Sequence, residues 1–340
     1  MNCTVLFHMA ETTNISKMAE LLSSKLFKIF KWSQHGPMNA NNACDCQKKH
    51  GVKTHPADVV FSYKDPYSGQ RIYLLTDLKS YSAGSISYAS VRDALVSLAK
   101  SVECAQIDQK WQSRYTNLEI EPYNIQGMLF IYNHDSKFDS DFRKNLEGLK
   151  DELPKISTTV KISILSPEEI YYLNNISADI LRLMGERILP FPEDCFFFYP
   201  DLQKKVVIDE KTSCATIELL KEPWQILRYK SEDNLLSSIV YYRGTGESAE
   251  EFLYLIDMLS FSQLLANSKQ IQIRCLTPNE NASVNFDKAL KEYINSLNDN
   301  YGSILGTHDD ISKKFDKITF SSIDQVTKTF SSIEIGMDIR

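Results

Sequence analysis

The sequence predicts an α/β protein with mixed α+β sheets, organised as two domains. Along both halves of the chain, short apolar runs typical of strands alternate with amphipathic segments typical of helices. The segment Pro190-Phe191-Pro192 interrupts this alternation and marks a break between the halves. With 340 residues the chain is long enough for two cores. We therefore expect one domain at residues 1–190 and a second at residues 191–340.

The first domain is predicted to begin with a short strand at residues 4–7, followed by helix, strand, strand, helix, strand, helix and strand. These elements are expected at residues 11–31, 58–63, 72–78, 89–104, 127–132, 142–149 and 160–165. Residues 33–54 are polar and are predicted to form a loop. Ser166 with Glu169 has the pattern of a cap that begins a further helix.

The second domain is predicted to contain antiparallel strands at residues 195–231, then strand, helix and strand at residues 235–276, and a further helix, strand and helix. Residues 244–249 match G-x-G-x-x-A, a pattern that can bind dinucleotides. Nearby acidic residues would repel a phosphate there. We interpret the segment instead as a helix start capped by Ser248 with Glu251.

The composition is that of a globular protein in a reducing compartment. No apolar run approaches the roughly 18 residues of a membrane helix, and the start of the chain lacks the basic and apolar regions of a secretory signal. The 7 cysteines are an odd and scattered set, which favours buried, reduced thiols over a disulfide framework. We expect a cytoplasmic protein that does not contact membranes.

Charge is distributed unevenly along the chain. Residues 1–110 carry 13 Lys and Arg against 9 Asp and Glu, whereas the remainder carries 25 against 35. Binding of nucleic acid depends on a local basic face rather than on net charge. A polyanion is therefore expected on the first domain, and a protein partner or solvent on the acidic second domain.

Three residues in the two strands of a predicted hairpin form the main candidate site. Because side chains alternate along a strand, Asp77 and Lys79 project from the same face. Asp58 begins the neighbouring strand, where pairing would bring it beside Asp77. Each residue alone is explained by a turn or a solvated strand edge, but together they place two carboxylates and an ammonium at one strand end.

This arrangement resembles the PD-(D/E)xK nuclease superfamily, which includes restriction enzymes and phage-defence effectors. Its pattern is an acidic residue, a variable gap, and Asp/Glu-x-Lys on the next strand. The superfamily core runs helix, three strands, helix, strand, and the predicted order matches it with one strand missing. The resemblance covers residues 5–135 and implies a restriction-endonuclease-like core.

The chemistry implied is metal-dependent hydrolysis of phosphodiester bonds. Asp58 and Asp77 offer the hard oxygen ligands that Mg²⁺ (or Mn²⁺) prefers, and the resemblance adds the Leu78 carbonyl as a third ligand. Lys79 would position the attacking water and stabilise the developing charge. Many members carry a further glutamate on the first helix. Glu11 is the better candidate for it, whereas Glu20 is expected to face solvent.

Several neighbouring residues are candidates for binding substrate. Lys48, Lys49 and Lys53 in the polar loop could contact phosphates, and so could Ser80 and Tyr81 just after the lysine strand. Each of these residues is also explained as a solvated loop residue.

Cys44-x-Cys46, with His35, His50 and His55 nearby, also suggests a zinc site. Structural zinc sites, however, usually use pairs spaced C-x₂₋₄-C. The spacing of this pair therefore argues against zinc.

The sequence thus predicts a metal-dependent endonuclease that cuts DNA, acting in bacterial restriction or anti-phage defence. The second domain would form a homodimer or bind a partner protein. Two alternatives stay open. One is a catalytically inactive module that binds nucleic acid or protein on a nuclease-like fold. The other is an enzyme of another class whose Asp-x-Lys is coincidental, which a strand order separating Asp58 from Asp77 would favour.

Overall fold

The computed structural model describes residues 17, 19–116, 122–147, 149, 159–200, 213–231, 233–305 and 307–325. The chain forms two compact units that divide between Asn174 and Asn175. The predicted strand at residues 4–7 and the first residues of the predicted helix lie outside the described part.

The first unit contains a five-stranded mixed sheet, a two-stranded ribbon and several helices. Its elements are α1 (residues 19–29), β1 (Ser33–His35), β2 (Ala40–Ala43), α2 (Gln47–His50), β3 (Thr54–Ala57), β4 (Val59–Lys64), β5 (Arg71–Tyr81), α3 (Tyr88–Ala105), α4 (Gln109–Tyr115), β6 (Tyr123–Asn133), β7 (Ile162–Leu165) and α5 (Pro167–Gly185), which continues into the second unit. A 3₁₀ helix at Phe142–Leu146 stands where an α-helix was predicted.

The main sheet of this unit has the strand order β1-β4-β5-β6-β7. Strands β1, β4 and β5 are antiparallel, whereas β5, β6 and β7 are parallel. The predicted mixed sheet is therefore confirmed. Strands β4 and β5 are neighbours, so the strand order does not separate the two halves of the candidate motif.

The prediction that residues 33–54 form a loop is wrong. Ser33–His35 pairs with β4 and supplies the strand that is missing from the predicted order. Beyond it, β2 and β3 form an antiparallel ribbon connected through α2. An edge strand of three residues with exposed side chains has no apolar alternation, so its sequence resembles a loop.

Helices cover the sheet of the first unit on both faces. On one face, Tyr73 and Leu75 of β5 pack with Leu95 of α3 in one buried cluster. On the other face, the ring of Phe27 in α1 lies 4.9 Å from the ring of Phe61 in β4. Strands buried on both faces are apolar throughout, which explains why β4 and β5 were recognisable from sequence.

The second unit contains another mixed five-stranded sheet, with the order β12-β11-β10-β9-β8. Its elements are β8 (Cys195–Phe197), β9 (Trp224–Lys230), β10 (Leu236–Tyr242), α6 (Ala249–Phe261), α7 (Leu264–Asn267), β11 (Ile271–Cys275), α8 (Ala282–Leu305), α9 (His308–Phe315) and β12 (Ile318–Ser322). Strands β8, β9 and β10 are antiparallel, and β10, β11 and β12 are parallel. The predicted α/β class is confirmed for this unit, but two helices, α8 and α9, precede β12 where helix, strand and helix were expected.

The backbone N–H groups of the loop before α6 are bound by a side chain of α6 itself. The Glu251 carboxylate accepts the N–H groups of Gly246 and Glu247 at 2.9 and 3.0 Å, and Ser248 Oγ accepts from the Glu251 N–H at 3.4 Å. These are the backbone donors that a dinucleotide phosphate would need. The cap predicted at Ser248 is therefore present, and the Glu251 carboxylate stands where a phosphate would bind.

Among the described residues, no helix combines the length and the apolar character that crossing a membrane requires.

Candidate active site

Asp58 and Asp77 lie side by side at the end of β5. The antiparallel register pairs Val59 with Thr76, so the next step along the two strands sets Asp58 against Asp77. Asp58 Oδ2 accepts the backbone N–H of Leu78 at 2.7 Å, and the Asp58 carboxyl lies close enough to Asp77 for their charges to interact. The hairpin thus brings together two residues that are nineteen positions apart.

Lys79 completes this group. Its ammonium lies 2.7 Å from Asp77 Oδ1, with the Lys79 side chain 32% and the Asp77 side chain 17% exposed. Strand alternation puts both residues on the face that carries Tyr73 and Leu75, which α3 covers. The site is therefore half-buried and open to solvent at one end of the strand.

The charges in this site are out of balance. Burial raises the pKa of Asp58 to about 6, and the neighbouring Asp77 carboxylate adds to the effect, although the Leu78 N–H opposes it. Burial alone would lower the pKa of Lys79, but the attraction of Asp77 and Asp58 outweighs it, so this pKa lies above its usual value. Two carboxylates thus compete for one ammonium, and the repulsion between them opposes ionisation of Asp58.

This donor set fits a divalent cation. Carboxylate oxygens are the ligands that Mg²⁺ and similar hard cations prefer, usually one or two in a site completed by water and phosphate. A cation between Asp58 and Asp77 would also remove the repulsion that raises the pKa of Asp58. The predicted contribution of the Leu78 carbonyl stays a prediction, since the hydrogen bond at the site is made by its N–H.

Ser80 and Tyr81 point to opposite faces of β5. The Tyr81 side chain shares the face of Asp77 and Lys79; burial raises the pKa of its hydroxyl, Lys79 opposes this and Asp77 adds to it. Ser80 Oγ lies on the other face, 3.3 Å from His134 Nδ1. Of these two predicted substrate contacts, the structure brings only Tyr81 next to the carboxylates.

The predicted basic contacts lie on the segment that leads into Asp58. Lys48 and Lys49 are exposed on α2, and Lys53 is exposed just before β3. Lys49 Nζ also pairs with Glu103 Oε1 of α3 at 2.5 Å. Lys53 and Asp58 are five positions apart along nearly extended chain, roughly 16 Å at about 3.3 Å per residue. These lysines therefore flank the carboxylates rather than join them.

The two glutamates considered on the first helix have different outcomes. Glu11 lies outside the described residues, so its predicted role stays a prediction. Glu20 is half-buried instead of facing solvent, which corrects the expectation from helical periodicity. Its carboxylate accepts from Asn39 Nδ2 at 2.8 Å, and the Asn39 N–H donates to the Asp58 carbonyl at 2.8 Å. Hydrogen bonds through Asn39 thus connect Glu20 to the backbone of Asp58.

Polar residues at the end of β6 also contribute to the site and were missed from sequence. Asp135 accepts the N–H of Ala83 with both carboxylate oxygens at 3.1 Å, and Asn133 Nδ2 donates to the Tyr81 carbonyl at 3.0 Å. They fix the chain that follows Lys79. Polar residues directly after an apolar strand are a signal that could have identified them, because β5 and β6 are parallel and end together.

A comparison with known families bears on the domain that contains this site. Residues 9–175 match the family model described as the GAPS4 protein PD-(D/E)XK nuclease domain. This part of the chain is a PD-(D/E)XK nuclease domain. The resemblance drawn from the sequence is thereby confirmed, and nucleases of this superfamily usually use divalent metal ions. No curated protein and no solved structure matches the chain. The first unit is called the nuclease domain below.

Proposed function

We propose that this protein is a Mg²⁺-dependent (or Mn²⁺-dependent) endonuclease that hydrolyses phosphodiester bonds of DNA. The observation that carries the proposal is the juxtaposition of Asp58 and Asp77, with the Lys79 ammonium 2.7 Å from Asp77 Oδ1, within a domain of this family. Asp58 and Asp77 would hold the cation. When bound, the cation lowers the pKa of a coordinated water and offsets charge on the scissile phosphate.

The residues of the chain supply the remaining steps. Lys79 is anchored by Asp77, so its ammonium has a fixed position from which to orient the attacking water and to stabilise negative charge on the phosphorus centre. Tyr81, on the same face, would donate a hydrogen bond to a phosphate oxygen. The exposed Lys48 and Lys53 would hold the flanking phosphates, which gives the nuclease domain its affinity for a polyanion.

Nicking of supercoiled plasmid by purified protein tests this proposal. We expect cleavage with Mg²⁺ or Mn²⁺ that Asp77→Ala and Lys79→Ala both abolish, and that the matched control Asp139→Ala, at an exposed carboxylate of the same unit, retains. Cleavage that survives in Asp77→Ala and Lys79→Ala would contradict the assignment. A folded wild type that binds DNA without cutting it under any divalent cation would favour the alternative, a catalytically inactive binding module. An RNA substrate assayed in parallel tests the choice of DNA.

We further propose a role in bacterial restriction or anti-phage defence in the cytoplasm, with the second unit forming a homodimer or binding a partner protein. A nuclease domain joined to a second α/β unit resembles the effectors of such systems. Tyr254 and Phe261, seven residues apart on one face of α6, are 67% and 74% exposed, which supports a protein-binding surface there. Phage plating on cells that express the wild type or Asp77→Ala tests the role, and light scattering of Phe261→Ser tests the surface.

A further inference from the structure

Two cysteines and two histidines converge inside the nuclease domain, away from the Asp58–Asp77 pair. Cys44 directly follows the last residue of β2, and His50 is the last residue of α2. His55 belongs to β3, and Cys104 belongs to α3. All four side chains are buried, and their Sγ and ring nitrogen atoms all lie within 4.8 Å of one another. We propose that these four residues bind a structural Zn²⁺ ion.

Four of the six distances among the ligand atoms fit tetrahedral coordination, and all six are within 4.8 Å. With Zn–S of about 2.3 Å and Zn–N of about 2.05 Å, a tetrahedron requires about 3.8 Å between sulfurs, about 3.5 Å from sulfur to nitrogen and about 3.3 Å between nitrogens. The two sulfurs are 3.7 Å apart, His50 Nδ1 is 3.4 Å from each sulfur, and His50 Nδ1 is 3.2 Å from His55 Nε2. Each of these four distances agrees to within about 0.2 Å.

Hydrogen bonding alone does not explain this convergence. His50 Nδ1 is within 3.4 Å of three atoms, namely both sulfurs and His55 Nε2. A single ring nitrogen offers one donor or one acceptor, so it cannot satisfy three partners at once. A cation at the common centre satisfies all four groups. Two thiolates also balance its charge of +2, which leaves a neutral site. Sulfur and imidazole ligands favour zinc over Mg²⁺.

Groups around the four residues are arranged as supports for metal ligands. His50 Nε2 donates to Glu103 Oε2 at 2.9 Å, which directs the unprotonated Nδ1 toward the sulfurs. Metal-bound histidines almost always make such a bond with their second nitrogen. The Glu103 carboxylate thus supports the tautomer of His50 that can bind a metal.

The site joins the segment that carries Lys48 and Lys53 to helix α3. Three of its ligands come from residues 44–55, and the fourth from α3. His55 stands three residues before Asp58, so an ion here would fix the strand that delivers the first carboxylate. This consequence for Asp58 depends on the proposed nuclease function, whereas the presence of the ion does not.

Metal analysis of the full-length protein, with any histidine tag removed, tests the proposal without a nucleic-acid substrate. We expect one zinc ion per chain by plasma mass spectrometry, lost in Cys104→Ser and retained in the matched control Cys46→Ser. Cys46 is the cysteine of the Cys-x-Cys pair that lies outside the cluster. Loss of zinc from both variants, or a folded wild type that neither contains Zn²⁺ nor takes it up on titration, would overturn the assignment.

Because Cys104→Ser can unfold the domain, the wild type provides a second measurement. Protein loaded with Co²⁺ should show the absorption of tetrahedral cobalt together with a thiolate charge-transfer band, and X-ray absorption of the zinc form should give two sulfur and two nitrogen ligands. An octahedral cobalt spectrum without that band would contradict the site. So would a Cys44–Cys104 disulfide in freshly purified, metal-free protein. A failure of plasmid cleavage would leave these readouts unchanged, so the two proposals can fail separately.

Discussion

Each unit of the molecule contains a buried carboxylate, and the two differ in how their charge is balanced. In the second unit, the Asp179 side chain is fully buried. Arg274 donates to both of its oxygens at 2.7 Å, Tyr241 to one at 3.1 Å and Arg182 to one at 2.9 Å. Such a bidentate pair with further hydrogen bonds leaves the carboxylate with matched charge and filled acceptor sites.

In the nuclease domain, by contrast, Asp58 and Asp77 share the single ammonium of Lys79. The result is one uncompensated negative charge in a half-buried place, and a raised pKa for Asp58. Arginines that compensate a carboxylate fully fit a structural role, whereas a deficit of positive charge fits the cation binding proposed for Asp58 and Asp77. On that proposal, the comparison separates a site that serves stability from one that serves chemistry.

The largest effect we expect comes from Asp58→Asn, which should act on activity and stability in opposite directions. Losing one carboxylate ligand removes several kcal/mol of charge stabilisation in the transition state, which corresponds to a cleavage rate about 10³-fold lower. The same change removes the repulsion with Asp77, while the amide oxygen can still accept the Leu78 N–H. The melting temperature in metal-free buffer should therefore rise.

Plasmid-cleavage rates and thermal melts with and without Mg²⁺ check this. The conservative variant Asp58→Glu serves as control, since it keeps the charge and should not gain stability. If Asp58→Asn melts below the wild type in metal-free buffer, the two carboxylates are not in conflict, and the contrast with Asp179 fails.

The next largest effect concerns Asp179, whose substitution should reduce the stability of the second unit. Removing one partner of a buried ion pair leaves the other charge unpaired, so Asp179→Ala should lower the free energy of unfolding by about 3–5 kcal/mol. Urea unfolding measures it, followed by a signal from the second unit such as Trp224 fluorescence. Asp233→Ala is the matched control. It breaks the exposed pair with Lys269 and should change stability little. If the two substitutions change the free energy of unfolding equally, the burial of Asp179 does not contribute to stability.

Much of the candidate active site is predictable because it depends on local rules. Alternation along one strand places Asp77 and Lys79 on the same face, and a hairpin brings the neighbouring strand, with Asp58 at its start, into register. The flanking apolar runs identify both strands, since helices cover the sheet on both sides. Polar edge elements carry no such pattern, which is why β1 and the β2–β3 ribbon were assigned to a loop.

The candidate zinc site shows where local reasoning ends. Spacing in the sequence drew attention to Cys44 and Cys46, together with His35, whereas the structure groups Cys44 with Cys104, sixty residues away on α3. His35 is engaged elsewhere, with its Nε2 2.7 Å from Ser62 Oγ. A ligand supplied by a distant helix leaves no spacing signature, and a single cysteine on an amphipathic helix resembles an ordinary buried apolar residue. Only the packing of α3 against the ribbon reveals it.

The smallest effect we expect distinguishes the basic segment of the nuclease domain from the acidic second unit. If Lys48 and Lys53 contact phosphates, Lys48→Ala with Lys53→Ala should reduce the slope of log affinity for duplex DNA against log salt by about 0.9 per lost contact. The cleavage rate at saturating DNA should not change, because both lysines lie away from the carboxylates. Lys291→Ala, at an exposed lysine of the second unit, is the control and should leave the slope unaltered. An unchanged slope in the double variant would assign DNA binding to another face, whereas a slower rate at saturation would place these lysines close to the scissile phosphate.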